Sequence, residues 1–183
     1  LDRSDKLRKQ VAAIEIAALG AAVTLVARDE SALRAAAAEL PSPHAQRHSF
    51  EVADFAEPAQ VRAAAERLAR TGTVHVLVNN TGGPPGGPIT EAAPDAFERA
   101  FRMHIVNNQL LAQALIQGMK EAGFGRIINI ISTSVKAPIP GLGVSTTIRA
   151  AVASWAKTLA GELAPFGITV NNVLPGFTDT ARL

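Results

Sequence analysis

Along the chain, short apolar runs alternate with longer segments in which apolar positions recur every three or four residues. The short runs are β-branched: Ala22–Ala27 (AVTLVA), Val74–Asn79 (VHVLVN), Arg126–Ile131 (RIINII) and Ile168–Leu174 (ITVNNVL), with a weaker one at Gln46–Val52. They are apolar on both faces, as strands covered on both sides must be. The longer segments are rich in Ala, Leu, Arg and Glu. They predict amphipathic helices over Val11–Leu19, Glu30–Leu40, Pro58–Arg70, Pro94–Ala122 and Val144–Ala164. Gly20 follows the first helix as a stop, Pro41-Ser42-Pro43 ends the second, and Pro58 opens the third. Strand followed by helix, repeated about five times, implies βαβ units. The expected fold is therefore α/β: a doubly wound, mostly parallel sheet with helices on both faces.

Composition narrows the class. At 183 residues with 48% hydrophobic residues, the chain is long enough for one domain with a real core. The net charge is only +2, with no basic block or aromatic ladder, so nucleic acid is not an expected partner. Cysteine is absent, which removes disulfides, thiolate catalysis and Cys-type zinc sites. His44, His48, His75 and His104 show no metal-ligand spacing, so no metal is expected. No apolar run is long enough to span a bilayer, and no signal-type core follows the charged LDRSDKLRKQ start. The reading at this point is a cytoplasmic protein with no membrane partner.

Ligands of open parallel sheets bind outside the carboxyl ends of the strands. Here those ends carry Arg28, Glu51-Val52, Asn79-Asn80-Thr81-Gly82, Ser132-Thr133-Ser134 and Pro175-Gly176. Such a rim suits a polar, phosphate-bearing ligand. The bland alternative is that every α/β fold ends its strands in turn residues. The proline-rich loop Gly82–Pro88 (GGPPGGP) is expected to border the same cleft.

In this order, these residues resemble the classical short-chain dehydrogenase/reductase family, above all its 3-oxoacyl-acyl-carrier-protein reductase-like members. Val78–Gly82 (VNNTG) is similar to the family's N-N-A-G signature, with Thr81 in place of Ala. Gly125–Ser132 (GRIINIIS) is similar to the strand presenting the catalytic Ser, and Ile168–Thr180 (ITVNNVLPGFTDT) to the sixth strand and its Pro-Gly turn. The resemblance implies a single Rossmann-type dinucleotide-binding domain over residues 1–183. Its cofactor contacts would fall on Glu51 and Val52 at the adenine edge, on Asn80 and Gly82, and on Pro175, Gly176 and Thr180. An acidic residue at the end of the second strand usually holds a ribose without a 2′-phosphate. This chain has Arg28 there, and a guanidinium can grip that phosphate. The implied cofactor is therefore NADP(H). The competing view of Arg28 is a solvated charge at a helix start.

Departures from the family pattern are equally informative. The family opens with a strand and a T-G-x-x-x-G-x-G loop that sets backbone N–H groups against the pyrophosphate. Neither is found before the helix segment Val11–Leu19. A family domain runs to roughly 250 residues. The expectation is that both this opening and the segments beyond Leu183, including a substrate-covering loop, are missing from the sequence. The catalytic Asn-Ser-Tyr-Lys set is also altered. Ser132 matches the Ser; the Tyr position holds Ser145, the Lys position Arg149 and the Asn position His104, with Asn107 and Asn108 one turn on. The chain contains no Tyr at all. A phenol, with a reference pKa of ~10, can be lowered by a neighbouring Lys to donate a proton. A serine hydroxyl is a far weaker acid, and Arg relays no protons.

Two readings follow. In the first, the chain is an NADP(H)-dependent oxidoreductase acting on a ketone, an alcohol or a 3-oxoacyl compound. Ser132 orients the carbonyl and Arg149 holds the cofactor, while Ser145, or a water relayed by His104, handles the proton. Lys136 is a further candidate donor, against the simpler view of a solvent-facing loop residue. In the second, the fold survives as a catalytically inactive nucleotide-binding or assembly subunit. The family resemblance also implies a homodimer or homotetramer through the helices 94–122 and 144–164, with Trp155 as an anchor.

Overall fold

Among the described residues the apolar runs form five strands, each pairing in parallel within its own sheet, and the amphipathic segments between them form helices. The computed structural model describes residues 3–176, with side chains described from Val11 onward. The architecture is α/β and Rossmann-like, with parallel sheets flanked by helices. Strand pairing falls into two sheets rather than one continuous ladder: a two-stranded sheet and a three-stranded one. No other apolar segment among the described residues supplies a joining strand. The chain divides accordingly into two compact units, one running to Asp54 and one from Phe55 onward.

In the first unit, helix α1 spans Arg3–Ala18 and so begins earlier than the expected Val11. The charged start is made of good helix formers (Arg, Lys, Gln, Leu) with no Gly or Pro to interrupt it. Ala13 and Ala17 pack on Leu40, with Ile14, Val23 and Leu25 around them. Strand β1 (Thr24–Ala27) pairs with β2 (Ser49–Val52), in register from Thr24–Ser49 to Ala27–Val52. Helix α2 (Glu30–Ala38) connects them. It is capped by Asp29, whose Oδ1 accepts the Ala32 N–H at 2.9 Å. His48 is structural: Nδ1 accepts the Val23 N–H at 3.1 Å, leaving Nε2 to donate to the Pro41 carbonyl at 3.1 Å.

In the second unit, β3 (Val76–Asn79), β4 (Gly125–Ile130) and β5 (Ile168–Val173) run in that order. The central strand β4 alternates buried and half-buried side chains along its length, as a strand covered on both faces should. Helix α3 (Pro58–Thr71) buries Val61, Ala64, Ala65 and Leu68 and packs on α5 (Asn107–Glu121), which buries Leu110, Leu111, Leu115 and Met119. Helix α6 (Gly143–Leu163) lies against β5 and buries Ile148, Val152 and Ala156. The expected single helix from Pro94 to Ala122 is interrupted. Helix α4 (Pro94–Phe101) passes into a five-residue π-helical turn, Arg102–Val106, before α5 begins. Weak helix formers crowd this stretch (His104, Ile105, Val106, Asn107). The Asn107 amide also donates out of the helix, to the Phe55 carbonyl at 2.7 Å.

One turn makes a stability prediction. Gly167 sits at φ 72° between the short turn Ala164–Phe166 and β5, and an added Cβ would lie 2.4 Å from the Gly123 carbonyl oxygen. Both backbone strain and a contact with rigid main chain oppose any side chain there. Gly167→Ala is expected to cost about 2–3 kcal/mol. Its thermal midpoint should fall by roughly 4–12 °C, as read by circular dichroism.

Candidate functional site

In the three-stranded unit, the strands end together because three asparagines tie them. Asn79, Asn129 and Asn172 occupy matched register positions on β3, β4 and β5. Asn79 Nδ2 donates to Asn129 Oδ1 at 2.9 Å, and Asn129 Nδ2 donates to Asn172 Oδ1 at 3.1 Å. Asn is a poor strand former and costly to bury without partners. Asn recurring near the ends of VLVN, IINI and TVNNV was therefore a readable signal that the sequence analysis missed. The ladder sets the level at which Asn80-Thr81-Gly82, Ser132 and Pro175-Gly176 leave the sheet.

Ser132 follows β4 in extended backbone, φ −163° and ψ 150°, and is half-buried. Its Oγ accepts the Ser134 N–H at 3.1 Å. A serine oxygen has two lone pairs and one O–H, so that contact leaves the hydroxyl proton available to a ligand oxygen. The Thr133 N–H donates to the Pro175 carbonyl at 3.1 Å, joining the loop after β4 to the Pro-Gly turn after β5. The proline-rich loop is fastened to the same region: the Gly87 N–H donates to the Gly141 carbonyl at 2.7 Å, just before α6.

His104 lies inside the π-helical turn and is 2% exposed. Its Nδ1 is 2.7 Å from Thr81 Oγ1. Arg149 is also buried. Its Nη1 donates to the Ile130 carbonyl at 2.7 Å and its Nη2 to the Thr81 carbonyl at 3.2 Å. One guanidinium thus spans the ends of β3 and β4. Hydrogen bonds therefore bring Thr81, His104, Arg149 and the end of β4 together. Ser145 is half-buried in the first turn of α6, and Lys136 is exposed at the end of the short turn after Ser132. Asn107 and Asn108 are buried, and the Asn107 amide serves the Phe55 and Met103 carbonyls. Asn80 and Gly82 are half-buried after β3, Pro175 is half-buried and Gly176 exposed. Thr180 lies outside the described residues.

The first unit presents its own strand ends. Arg28 follows β1, just before the Asp29 cap, with a side chain 59% exposed. Its Nη1 lies 4.0 Å from Asp54 Oδ2, a weak surface pairing that leaves the guanidinium accessible to an anion. Glu51 is half-buried and Val52 exposed at the end of β2. Among the described residues, no group of His, Asp and Glu is placed to hold a metal, and no helix is long and apolar enough to cross a membrane.

A family model described as short chain dehydrogenase matches residues 10–183. A Streptomyces violaceoruber protein, named a ketoacyl reductase of the granaticin polyketide synthase, is 37% identical over 172 residues, covering 90% of this chain and 61% of the relative. The structure of L-sorbose reductase from Gluconobacter frateurii, complexed with NADPH and L-sorbose, superposes with a TM-score of 0.87 at 30% identity, over 95% of this chain and 66% of that one. NAD+-bound xylitol dehydrogenase superposes with a TM-score of 0.83 at 25% identity, over 92% of this chain and 65% of its own. The chain spans about three fifths of the length of the Streptomyces relative.

Proposed function

Because this chain belongs to the short-chain dehydrogenase family, we propose that it is an NADP(H)-dependent oxidoreductase acting on a ketone, an alcohol or a 3-oxoacyl substrate. The observation that carries the reading is Ser132, held at the end of β4 with its hydroxyl proton available. A carbonyl oxygen placed against that proton is polarised toward attack at carbon. Arg149 adds a fixed positive charge behind the rim. Reduction also needs a proton for the developing alkoxide, and the candidates are Ser145 or a water relayed by His104. When bound, the nicotinamide cofactor supplies the hydride.

The residues present fit the ends of such a cofactor. Arg28 offers an accessible guanidinium for a 2′-phosphate. By the family resemblance, Glu51 and Val52 would contact the adenine edge, and Asn80, Gly82, Pro175, Gly176 and Thr180 the ribose and nicotinamide. The relative named a ketoacyl reductase and the sorbose reductase structure with NADPH support the substrate class and the cofactor. A homodimer or homotetramer through the helices 94–122 and 144–164, and a cytoplasmic setting, belong to the same reading. Trp155 already donates to Gln109 Oε1 at 2.7 Å within the chain, which orients the indole between α5 and α6.

A second reading, an inactive nucleotide-binding or assembly subunit, is favoured by one observation. The Arg149 N–H groups named above serve backbone carbonyls, where the family's Lys would lower the pKa of a Tyr that this chain lacks. Fluorescence titration with NADPH and NADH separates the readings when combined with a panel of ketones and 3-oxoacyl thioesters. Tight NADPH binding with turnover is the expected result. Binding without turnover supports the second reading, and binding of neither cofactor removes the first.

A further inference from the structure

We infer that Thr81 is a positioning residue for His104: its hydroxyl selects the tautomer and direction of the imidazole, and Arg149 holds the main chain that carries that hydroxyl. Only the kinetic consequence rests on the oxidoreductase reading; the positioning itself does not.

Residue 81 is gripped from two sides. Its side-chain oxygen lies 2.7 Å from His104 Nδ1, and its carbonyl accepts from Arg149 Nη2 at 3.2 Å. The other end of the same guanidinium is fixed on the Ile130 carbonyl at 2.7 Å. The place of Thr81 is thus set against β4 by a planar group that cannot lose its charge. His104 is 2% exposed, so its ring is oriented by protein rather than by bulk water. It also sits in the middle of a π-helical turn, a local widening often found at functional sites. Thr81, His104 and Arg149 are three of the positions at which the sequence leaves the family pattern, and two hydrogen bonds connect all three. They read as one exchange of parts.

The chemistry explains why a hydroxyl matters at position 81. A neutral imidazole carries a single N–H, and the partner at one ring nitrogen decides what the other can do. With Thr81 donating, Nδ1 accepts and Nε2 keeps the proton. With Thr81 accepting, Nδ1–H is the donor and Nε2 is the basic nitrogen. Thr can play either part and Val neither. Both states need a hydroxyl 2.7 Å away.

The test is imidazole nitrogen NMR on the ¹⁵N-labelled full chain, with His104→Gln identifying the His104 resonances. Thr81→Val keeps the shape and removes the hydroxyl, and it should move both His104 nitrogens toward a mixture of tautomers. Thr81→Ser should restore the wild-type pattern, which a purely packing role for Thr81 would not predict. Thr81→Ala is a second hydroxyl-free variant should Val disturb folding. In a reduction assay, kcat should fall roughly 10- to 100-fold in Thr81→Val with KM little changed, and recover in Thr81→Ser. His104 nitrogens that stay at their wild-type positions in the folded hydroxyl-free variants overturn the inference. If the signals move while the wild type turns over no substrate, the positioning role stands and the oxidoreductase reading falls.

Discussion

Ser132→Ala is expected to lower kcat for carbonyl reduction by about 10²–10³-fold while leaving NADPH affinity nearly unchanged. The Oγ contact with the Ser134 N–H uses a lone pair and so leaves the Ser132 hydroxyl proton to donate, with no acceptor for it among the described residues. In the proposed reduction, a substrate carbonyl would take only a modest hydrogen bond from that hydroxyl in the ground state, and that bond would strengthen as negative charge gathered on the carbonyl oxygen. The loss therefore falls on kcat more than on KM. The substitution also removes the acceptor that caps the turn Thr133–Val135, at a cost of about 1 kcal/mol. Rates should accordingly be compared below the thermal midpoint of the variant. Turnover equal to wild type would remove Ser132 from the mechanism and leave the polarising role to another group.

Much of this arrangement was legible in the sequence, for a physical reason. The strands VLVN, RIINI and ITVNNV are largely β-branched and apolar, as strands of a parallel sheet are, and each is found within about two residues of its expected ends; β4 is covered on both faces, whereas β5 leaves Thr169, Asn171 and Val173 exposed. Helix starts at Glu30 and Pro58 were equally plain, and at Pro58 the signal is local, a proline at the first helical position. The path of Pro94–Ala122 was not legible. Its apolar periodicity is continuous, and the π-helical turn at Arg102–Val106 goes with contacts to residues far along the chain, from Asn107 to Phe55 and from His104 to Thr81. The division of the strands into two sheets was equally hidden, since periodicity marks strands but not their partners.

Arg149 illustrates the same limit at the level of a single side chain. Its position four residues after Ser145 suggested a hand for the cofactor. In the folded chain it is 9% exposed, with Nη1 on the Ile130 carbonyl and Nη2 on the Thr81 carbonyl. A guanidinium buried in this way is stabilised by its carbonyl acceptors, and they direct those two N–H groups toward the protein. Its support of the cofactor, as proposed, is therefore electrostatic, through a fixed positive charge behind the rim. Spacing can name the residue at a position, but the acceptors around a five-donor fork decide which way it reaches.

The cofactor prediction stands apart, because Arg28 is exposed and has little to lose. Arg28→Ala should weaken NADPH binding by about 10- to 100-fold and leave NADH binding almost unchanged. The expected size follows from one charge-assisted contact to phosphate, worth about 1.5–3 kcal/mol, at 1.4 kcal/mol per tenfold in affinity. Folding should be unaffected, since the existing partner of Arg28 is Asp54 at 4.0 Å across an exposed surface. Salt offers a second reading of the same contact. Raising ionic strength should weaken NADPH more than NADH in the wild type, and the difference should vanish in the variant. Asp54→Asn tests the direction of the field. Removing the Asp54 carboxylate beside the guanidinium should tighten NADPH and do nothing for NADH. Equal losses of both cofactors in Arg28→Ala, or a preference for NADH in the wild type, would mean that this arginine is a solvated charge at the start of α2. Discrimination between the cofactors would then have to come from residues other than those at the end of β1.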